Sequence, residues 1–304
     1  VQFAMKPVAA KLQEVIGRPV KYIPAVMSDE VKAAAAALRP GDILLLENTR
    51  FHPGEKKNDA QLAADFASLA DVYVDDAFGS AHRADASVDG AAYAMRAKGG
   101  PAVSGFLMNA EISALGVAVE NPPHPYVAIM GGAKISDKIK LIENLLDKAD
   151  KILIGGGMAN TFLKAQGHNM GKSLVEEEAL PEAARLLAMA ADRLILPVDV
   201  VTATEVSADA PSDVEMIWAL SPDRMALDIG PATVERFNAE LQGAQLVIWN
   251  GPMGVFEVAQ FAHGTNQLAQ MLAAMVDNGA KVIIGGGDSA AAVRKAGLTD
   301  KMTH

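Results

Sequence analysis

Cysteine is absent from the 304 residues, and other features that would mark particular protein classes are scarce. Without thiols, neither a disulfide framework nor a thiolate metal site can form, and this suits a reducing compartment. No apolar run approaches the roughly 20 residues that a membrane-spanning helix needs. Positive charge is in deficit, with 27 Lys and Arg against 37 Asp and Glu. We therefore expect a cytoplasmic protein without a nucleic-acid or anionic-membrane surface.

The acidic charge is concentrated in the second part of the chain. Residues 1–104 hold 12 Lys and Arg against 13 Asp and Glu, whereas residues 105–304 hold 15 against 24. A chain that is 50% apolar and 304 residues long can form two domains, each with its own core. A helical, apolar stretch at 105–119 is followed by Asn-Pro-Pro-His-Pro, which ends the helix and stiffens the connection. We predict a first lobe at 1–104, a helix and linker at 105–122, and a second lobe at 123–304.

Short apolar runs alternate with helical patterns along both predicted lobes. In the second lobe the predicted strands are 127–130, 152–154, 194–195, 246–249 and 282–284. This alternation predicts α/β lobes of Rossmann-like type, each with a parallel sheet covered by helices. Only 202–216 breaks the rhythm, and we predict an irregular extended arm there.

Four of the predicted strands in the second lobe run directly into glycines. The turns are Gly131-Gly132, Gly155-Gly156-Gly157, the segment 250–254 (NGPMG) and Gly285-Gly286-Gly287. In a parallel sheet these turns share the carboxyl edge, where ligands of open α/β folds bind. Glycine lets backbone N–H groups approach an oxyanion without a Cβ in the way. Four such turns on one edge predict a phosphate or nucleotide site.

The stretch 126–140 (YVAIMGGAKISDKIK) adds positive charge at the first of these turns. We predict a helix after Gly132 with Lys134, Lys138 and Lys140 at or near its start. Cations at this end oppose the helix dipole by about 0.3–1 kcal/mol each, whereas a bound polyanion would use them as ligands. The alternative is a solvated lysine face without a ligand.

The common nucleotide-binding fingerprints are missing. The chain has no GxxxxGK[ST] sequence, its GGGMAN and GGGDSA segments are not GxGxxG, and the HRD and DFG elements of protein kinases are absent. A dinucleotide oxidoreductase therefore has only fold analogy in its favour.

Longer motifs indicate a particular family. The segments GGAKISDK, GGGMANTF, WNGPMGVFE and GGGDS in the second lobe closely resemble phosphoglycerate kinases. ENTRFHPGEKKND at 47–59, DDAFGSAHRADAS at 75–87 and SGFLMNAEI at 104–112 agree with that family as well. The resemblance runs from near residue 1 to residue 304. It implies a glycolytic transferase that moves the acyl phosphate of 1,3-bisphosphoglycerate to ADP, with Mg²⁺ as cofactor, acting as a cytoplasmic monomer.

The resemblance also implies roles for individual residues. Lys134 would meet the transferring phosphoryl group, with Gly286 and Gly287 as its catalytic partners, and Lys138 would meet the α-phosphate. Arg50 and Arg83 would bind the phosphate or carboxylate of phosphoglycerate. Asp288 would help to hold Mg²⁺. The implied nucleotide-binding residues are Gly132, Ala133, Lys138, Gly156, Gly157, Asn250, Pro252, Val255, Glu257, Gly286, Gly287, Asp288 and Ser289.

Several of these residues have a second interpretation. Asp288 has the position of an N-cap for the helix that follows it. Glu257 can also be interpreted as a solvated acidic residue in a loop, and Arg50 and Arg83 as surface charges without a ligand. The positions of Arg50 and Arg83, in loops directly after predicted strands, favour phosphate binding.

Parts of the family pattern are not found in these 304 residues. They are the Asp-x-Asn substrate motif of the family's first strand with an arginine near it, a following His-x-x-Arg segment, and the C-terminal Thr-Gly-Gly-Gly segment. Val1 falls within a helical pattern and the chain ends where a strand is expected, so we expect a chain cut at both ends. A second hypothesis is therefore a catalytically impaired nucleotide-binding fragment or homologue.

Overall fold

The computed structural model describes residues 2–304, with the side chains of 117–119 left aside. Its internal contacts divide the chain into two compact units, Val1–Ser113 and Ala114–His304. The division falls within the helix that was predicted to connect the lobes, and the predicted lobe boundaries stay a prediction. Within the described residues, no helix combines the length and apolar character that a membrane crossing requires.

The first unit contains short parallel strand pairs and the helices beside them. Strands β1 (Lys21–Tyr22) and β2 (Leu44–Leu45) pair in parallel, as do β3 (Tyr73–Asp75) and β4 (Ala102–Ser104). The helices are α1 (Lys6–Ile16), α2 (Asp29–Ala36), α3 (Ala60–Ser68), α4 (Ala91–Ala97) and the start of α5 (Phe106–Val119). Helix α2 begins at an N-cap, where the Ser28 hydroxyl accepts a hydrogen bond from the Val31 N–H.

The second unit is built on a five-stranded sheet. Its strands are β5 (Tyr126–Met130), β6 (Lys151–Ile154), β7 (Leu194–Ile195), β11 (Leu246–Asn250) and β12 (Lys281–Gly285). The spatial order is β12-β11-β5-β6-β7 and every pairing is parallel, which confirms the predicted strands and the α/β class.

The two faces of this sheet carry separate cores. Tyr126, Ala128 and Met130 of β5 join one core, with α6 (Ile139–Leu146), α7 (Gly156–Ala165) and α8 (Leu180–Ala190). Val127 and Ile129 join the other core, with α9 (Pro231–Leu241) and α10 (His263–Asp277). Because both faces of the strand are buried, the run is apolar throughout rather than alternating. Helix α11 (Gly287–Lys295) follows β12.

A small antiparallel sheet corrects one prediction. Residues 202–216 were predicted as an irregular extended arm, and 204–212 do contain no helix or strand. The two ends of the range belong to strands instead: β8 (Asp199–Ala203) lies between β10 (Met225–Ile229) and β9 (Asp213–Met216). Helical patterns do not separate these strands, so the parallel rhythm stops here and the chain pairs locally instead. The pairing satisfies backbone groups that an isolated arm would leave to water.

Candidate functional site

Three of the glycine turns are joined by main-chain hydrogen bonds. The Gly131 N–H donates to Asn250 O at 2.9 Å, and the Gly132 N–H donates to Pro252 O at 3.0 Å. The Gly156 N–H donates to Met253 O at 3.0 Å. The turns after β5, β6 and β11 thus form one hydrogen-bonded platform at the carboxyl edge of the sheet.

Glycine is required where these turns touch. Gly251 has φ +99°, and a Cβ added there would lie 2.3 Å from Gly131 O. A Cβ on Gly131 would lie 2.2 Å from Pro252 O. Both distances are well inside van der Waals contact with backbone atoms that cannot rotate away, so a side chain would force the turns apart.

Lys138 is anchored at the centre of this platform. Its Nζ donates to Gly131 O at 3.0 Å, to Asn250 O at 3.1 Å and to Asn250 Oδ1 at 2.6 Å. Burial lowers the pKa of Lys138, and the nearby charges of Asp288 and Asp137 oppose that shift. Among the described residues, no carboxylate forms an ion pair with Lys138 or with Lys134.

The helix predicted to carry the lysines begins later than expected. Helix α6 starts at Ile139 and Lys138 occupies its N-cap position, so Lys140 is in the first turn and Lys134 precedes the helix. The intervening residues form a turn held by the Lys138 N–H, which donates to Ile135 O at 2.8 Å. Lys134 therefore lies on an exposed loop, not on a helix.

A cavity of about 440 Å³ opens beside Lys138. The residues that line it come from the turns after β5, β11 and β12. They include Gly132, Ala133, Lys134, Lys138, Asn250, Pro252, Gly286, Gly287, Asp288 and Ser289. The main-chain hydrogen bonds described above do not include the turn after β12. This turn nevertheless meets the turns after β5 and β11 at the cavity.

Two side chains at this cavity differ from expectation. The Ser289 hydroxyl is buried and accepts a hydrogen bond from the Gly251 N–H at 2.6 Å, so it holds the platform. Asp288 is not an N-cap, because α11 starts at Gly287 and its N-cap residue is Gly286, without a side-chain capping bond. The Asp288 carboxylate is instead exposed at the cavity.

A second cavity of about 470 Å³ adjoins the first. The two cavities share Gly132, Ala133, Pro252 and Asp288. The second cavity is more apolar and is lined by the remaining predicted nucleotide residues together with unpredicted apolar ones. These are Gly156, Gly157, Val255 and Glu257, with Leu174, Met225 and Val206. Every nucleotide-binding residue predicted in the second lobe therefore lies at one of two adjoining cavities.

Another cavity of about 490 Å³ lies at the opposite edge of the sheet. It is lined by the loops that precede β11 and β12, and Lys281 is the only charged residue in its lining. None of the predicted site residues is part of it. Although this cavity is at least as large as the other two, it is not a candidate for the phosphate site.

In the first unit, the structure brings Arg50 and Arg83 together on one carboxylate. Arg50 Nη2 donates to Asp85 Oδ2 at 2.8 Å, and Arg83 Nε donates to the same oxygen at 3.1 Å. The Asp85 side chain is 8% exposed, whereas the two arginine side chains are 32% and 41% exposed. Two guanidinium groups around one carboxylate leave a net positive charge and free N–H groups for an anionic ligand.

Three acidic residues that lie at these sites or contact residues next to them were not predicted from the sequence. Asp85 had a signal, because it lies two residues after Arg83 within a motif already singled out. Glu176 and Asp228 had no such signal. Glu176 accepts a hydrogen bond from the Ile135 N–H, 41 residues away along the chain, and Asp228 accepts one from the Gly264 N–H, 36 residues away. Burial raises the pKa of Asp228 to about 7, although the backbone N–H groups of Gly264, Ile229 and His263 stabilise its ionised form.

Comparisons with known proteins agree with this geometry. The family model described as Phosphoglycerate kinase matches residues 1–304. A phosphoglycerate kinase of Moorella thermoacetica is 53% identical over 306 aligned positions, which cover 100% of this chain and 76% of the relative. One of Chloroflexus aurantiacus is 52% identical over 308 positions, with the same coverage.

Solved structures are similar over nearly the whole chain. Phosphoglycerate kinase from Coxiella burnetii has a TM-score of 0.84 at 43% identity and covers 99% of this chain and 75% of its own. The enzyme from Pyrococcus horikoshii has a TM-score of 0.85 at 30% identity, with coverage of 99% and 76%.

A parallel α/β fold whose glycine turns and lysines converge at one edge defines a nucleotide-dependent phosphotransferase. The chain belongs to the phosphoglycerate kinase family. It is a glycolytic kinase that transfers the acyl phosphate of 1,3-bisphosphoglycerate to ADP, reversibly, giving 3-phosphoglycerate and ATP. The alternative of an impaired nucleotide-binding homologue is not favoured, since these relatives are all named as the kinase.

Proposed function

We propose that the two adjoining cavities of the second unit hold the two ends of one nucleotide. The observation that carries this proposal is their shared wall, formed by Gly132, Ala133, Pro252 and Asp288. The more apolar cavity suits a base and ribose, with Gly156, Gly157 and Val255 around the adenosine. Glu257, whose side chain is exposed at the rim, accepts hydrogen bonds from the ribose hydroxyls.

The lysine-lined cavity takes the phosphates. Lys138 contacts the α-phosphate and Lys134 meets the transferring phosphoryl group. Asn250 and the backbone N–H groups at Gly286, Gly287 and Ser289 complete the anion site. Phosphoryl transfer depends mainly on alignment and on neutralising charge that spreads over equatorial oxygens. No general base is needed, because the acyl phosphate transfers its phosphoryl group directly to an ionised phosphate oxygen of ADP.

Mg²⁺ suits the donors at this cavity. No group of three or more His, Asp or Glu side chains among the described residues could hold a metal by itself. Mg²⁺ commonly binds through one or two carboxylates, with phosphate oxygens and water completing its shell. Asp288, exposed where the cavities meet, is the carboxylate that would hold it. When bound, Mg²⁺ neutralises phosphate charge and orients the transferring group.

Arg50 and Arg83 bind the phosphate or carboxylate of the phosphoglycerate. Their shared contact with Asp85 supports this role, because it holds two like charges together that would otherwise repel. An anion placed between them would relieve that repulsion and use the N–H groups that remain free. We also propose that the enzyme acts as a monomer in the cytoplasm, which light scattering and cell fractionation would test.

Replacing Lys134 tests the phosphate assignment. Lys134→Ala is expected to lower kcat for ATP formation by about 100-fold, because one charge-stabilising donor at a transfer site contributes on that scale. ADP affinity, which depends on Lys138, is expected to change little. Lys140→Ala is the matched control. Lys140 was grouped with the anion-binding lysines from the sequence, but it is exposed in the first turn of α6 and does not line the cavity. An unchanged kcat in Lys134→Ala would contradict the assignment.

A further inference from the structure

A carboxylate from another loop holds the segment that carries Lys134. Glu176 accepts hydrogen bonds from the Ile135 N–H at 2.6 Å, the Ser136 N–H at 3.2 Å and the Ser136 hydroxyl at 2.6 Å. These N–H groups precede α6 and have no helical acceptor. Glu176 therefore supplies the hydrogen bonds that keep residues 135–136 in their non-helical turn.

Glu176 is itself attached to α7. Its backbone N–H donates to Thr161 Oγ1 at 3.1 Å, and Asn160 Nδ2 donates to Leu174 O at 3.2 Å. Asn160 and Thr161 are both buried on α7. The loop that carries Glu176 thus has a fixed base, and through Leu174 it also lines the more apolar cavity.

The charge of Glu176 is maintained. Burial opposes its ionisation, but the hydrogen bonds from Ser136 and Ile135 and the nearby charge of Lys134 outweigh that effect and lower its pKa. The carboxylate is therefore ionised at neutral pH and accepts all three hydrogen bonds at once. Ile135, adjacent to Lys134, is 0% exposed and fixes the same segment from the core side.

We propose that Glu176 is a positioning residue, which holds the 135–136 turn so that Lys134 reaches the transferring phosphoryl group. Lys134 is exposed and has no ion-pair partner among the described residues, so the backbone that carries it decides where its ammonium group can go. Lys138 has separate anchors on Gly131 and Asn250. The proposal rests on the proposed role of Lys134. It predicts that Glu176 affects the terminal phosphate selectively.

The test compares Glu176→Gln with Glu177→Gln. The control removes the same charge from the next residue, whose carboxylate pairs with Lys164 on the surface at 2.5 Å. In Glu176→Gln we expect kcat to fall about tenfold to 100-fold, because a small misplacement of a catalytic group has effects of that size. By calorimetry, MgATP affinity is expected to fall about fivefold or more, with MgADP affinity changing less than about twofold.

Ser136→Ala provides a second variant at an exposed position that is not expected to disturb folding. It removes one of the three hydrogen bonds and is expected to shift kcat and MgATP affinity in the same direction by less. Equal losses of MgATP and MgADP affinity, together with a lower Tm, would show a purely structural role and overturn the proposal. No change in either variant would overturn it too. If Lys134→Ala keeps its turnover, the proposed function has failed instead.

Discussion

Lys138, the proposed ligand of the α-phosphate, shows how neutral groups orient a single positive charge. Its ammonium group has three oxygen partners, two of them main-chain carbonyls of neighbouring turns. Carbonyl dipoles orient the ammonium group without forming an ion pair, so its charge is available to the proposed phosphate ligand. A carboxylate partner would have given a comparable anchor but would have competed with the anion.

Lys138→Ala is expected to weaken ADP binding by about 1.5–3 kcal/mol, the range for a charge-assisted hydrogen bond. Calorimetry on the variant measures the loss, and circular dichroism checks that the fold is retained. Lys140→Ala serves as the control and is expected to bind ADP as the parent does. Equal ADP affinity in the parent and in Lys138→Ala would remove this lysine from the site.

Asp228 makes stability depend on pH in a particular direction. Its pKa in the folded protein is raised from the ordinary 3.8 to about 7, with burial as the main cause. The fold therefore favours the protonated form, and the contribution of this group to stability is fully present below pH 3.8 and is lost as pH rises through about 7. Asp228 lines the more apolar cavity, and its carboxylate accepts the Gly264 N–H at the start of α10.

Asp228→Asn is expected to flatten the pH dependence of unfolding between about pH 4 and 7. The full difference between the two pKa values corresponds to at most about 4 kcal/mol in the free energy of unfolding. Denaturant titrations at several pH values measure the slope. Asp209→Asn, at an exposed carboxyl, is the control and should leave it as in the parent. A slope shared by the parent and Asp228→Asn would refute the assignment.

Among elements, the glycine turns show where a positive φ coincides with a close backbone contact. Gly251 and Gly279 have nearly the same φ, +99° and +94°. A Cβ at Gly251 would overlap the backbone of Gly131, whereas a Cβ at Gly279 would meet nothing within 4 Å. Comparing substitutions at Gly251 and Gly279 therefore distinguishes the strain of a side chain at positive φ from the steric clash within the platform.

Gly279→Ala is expected to cost about 1–2 kcal/mol of stability, the strain of a non-glycine residue at positive φ, with ADP affinity unchanged. Gly251→Ala is expected to lose that amount and about 1–3 kcal/mol more, because packed backbone must move. It should also lose measurable ADP binding. Denaturant midpoints and calorimetry provide both values. Similar behaviour of the two variants would mean that the platform tolerates displacement.

Helix α6 illustrates an element whose boundary was predicted incorrectly. The pattern placed its start near Lys134, whereas it begins at Ile139. Residues 135–136 need no helical hydrogen bonds at that end, because Glu176 accepts from their N–H groups. No local feature of the lysine-rich stretch carries information about a carboxylate 41 residues away.

For the molecule as a whole, the residues predicted to bind the two substrates are divided between the two compact units. The predicted nucleotide residues all belong to Ala114–His304, and Arg50 and Arg83 belong to Val1–Ser113. A ligand that binds only the folded state stabilises the unit that holds it, by about 2.7 kcal/mol at 100 times its Kd. Each substrate should therefore protect its own unit.

Hydrogen exchange measured by mass spectrometry tests this separation. Saturating MgADP is expected to slow exchange in the turns after β5, β6, β11 and β12, and 3-phosphoglycerate is expected to slow it around Arg50 and Arg83. Inorganic sulfate at the same ionic strength controls for general anion effects. Protection by MgADP that maps to the first unit would contradict the assignment.

The sequence by itself determined the parallel α/β pattern, the glycine turns and the positions of the predicted anion-binding residues. These features are local, since apolar periodicity, glycine and short motifs lie within a few neighbouring residues. Only the tertiary structure decided which side chains restrain that site. Glu176 on the 135–136 turn, Asp85 with Arg50, and Asp228 with Gly264 join residues 41, 35 and 36 positions apart. Such contacts depend on how elements pack. Of the three carboxylates only Asp85, two residues after Arg83, had a short-range signal.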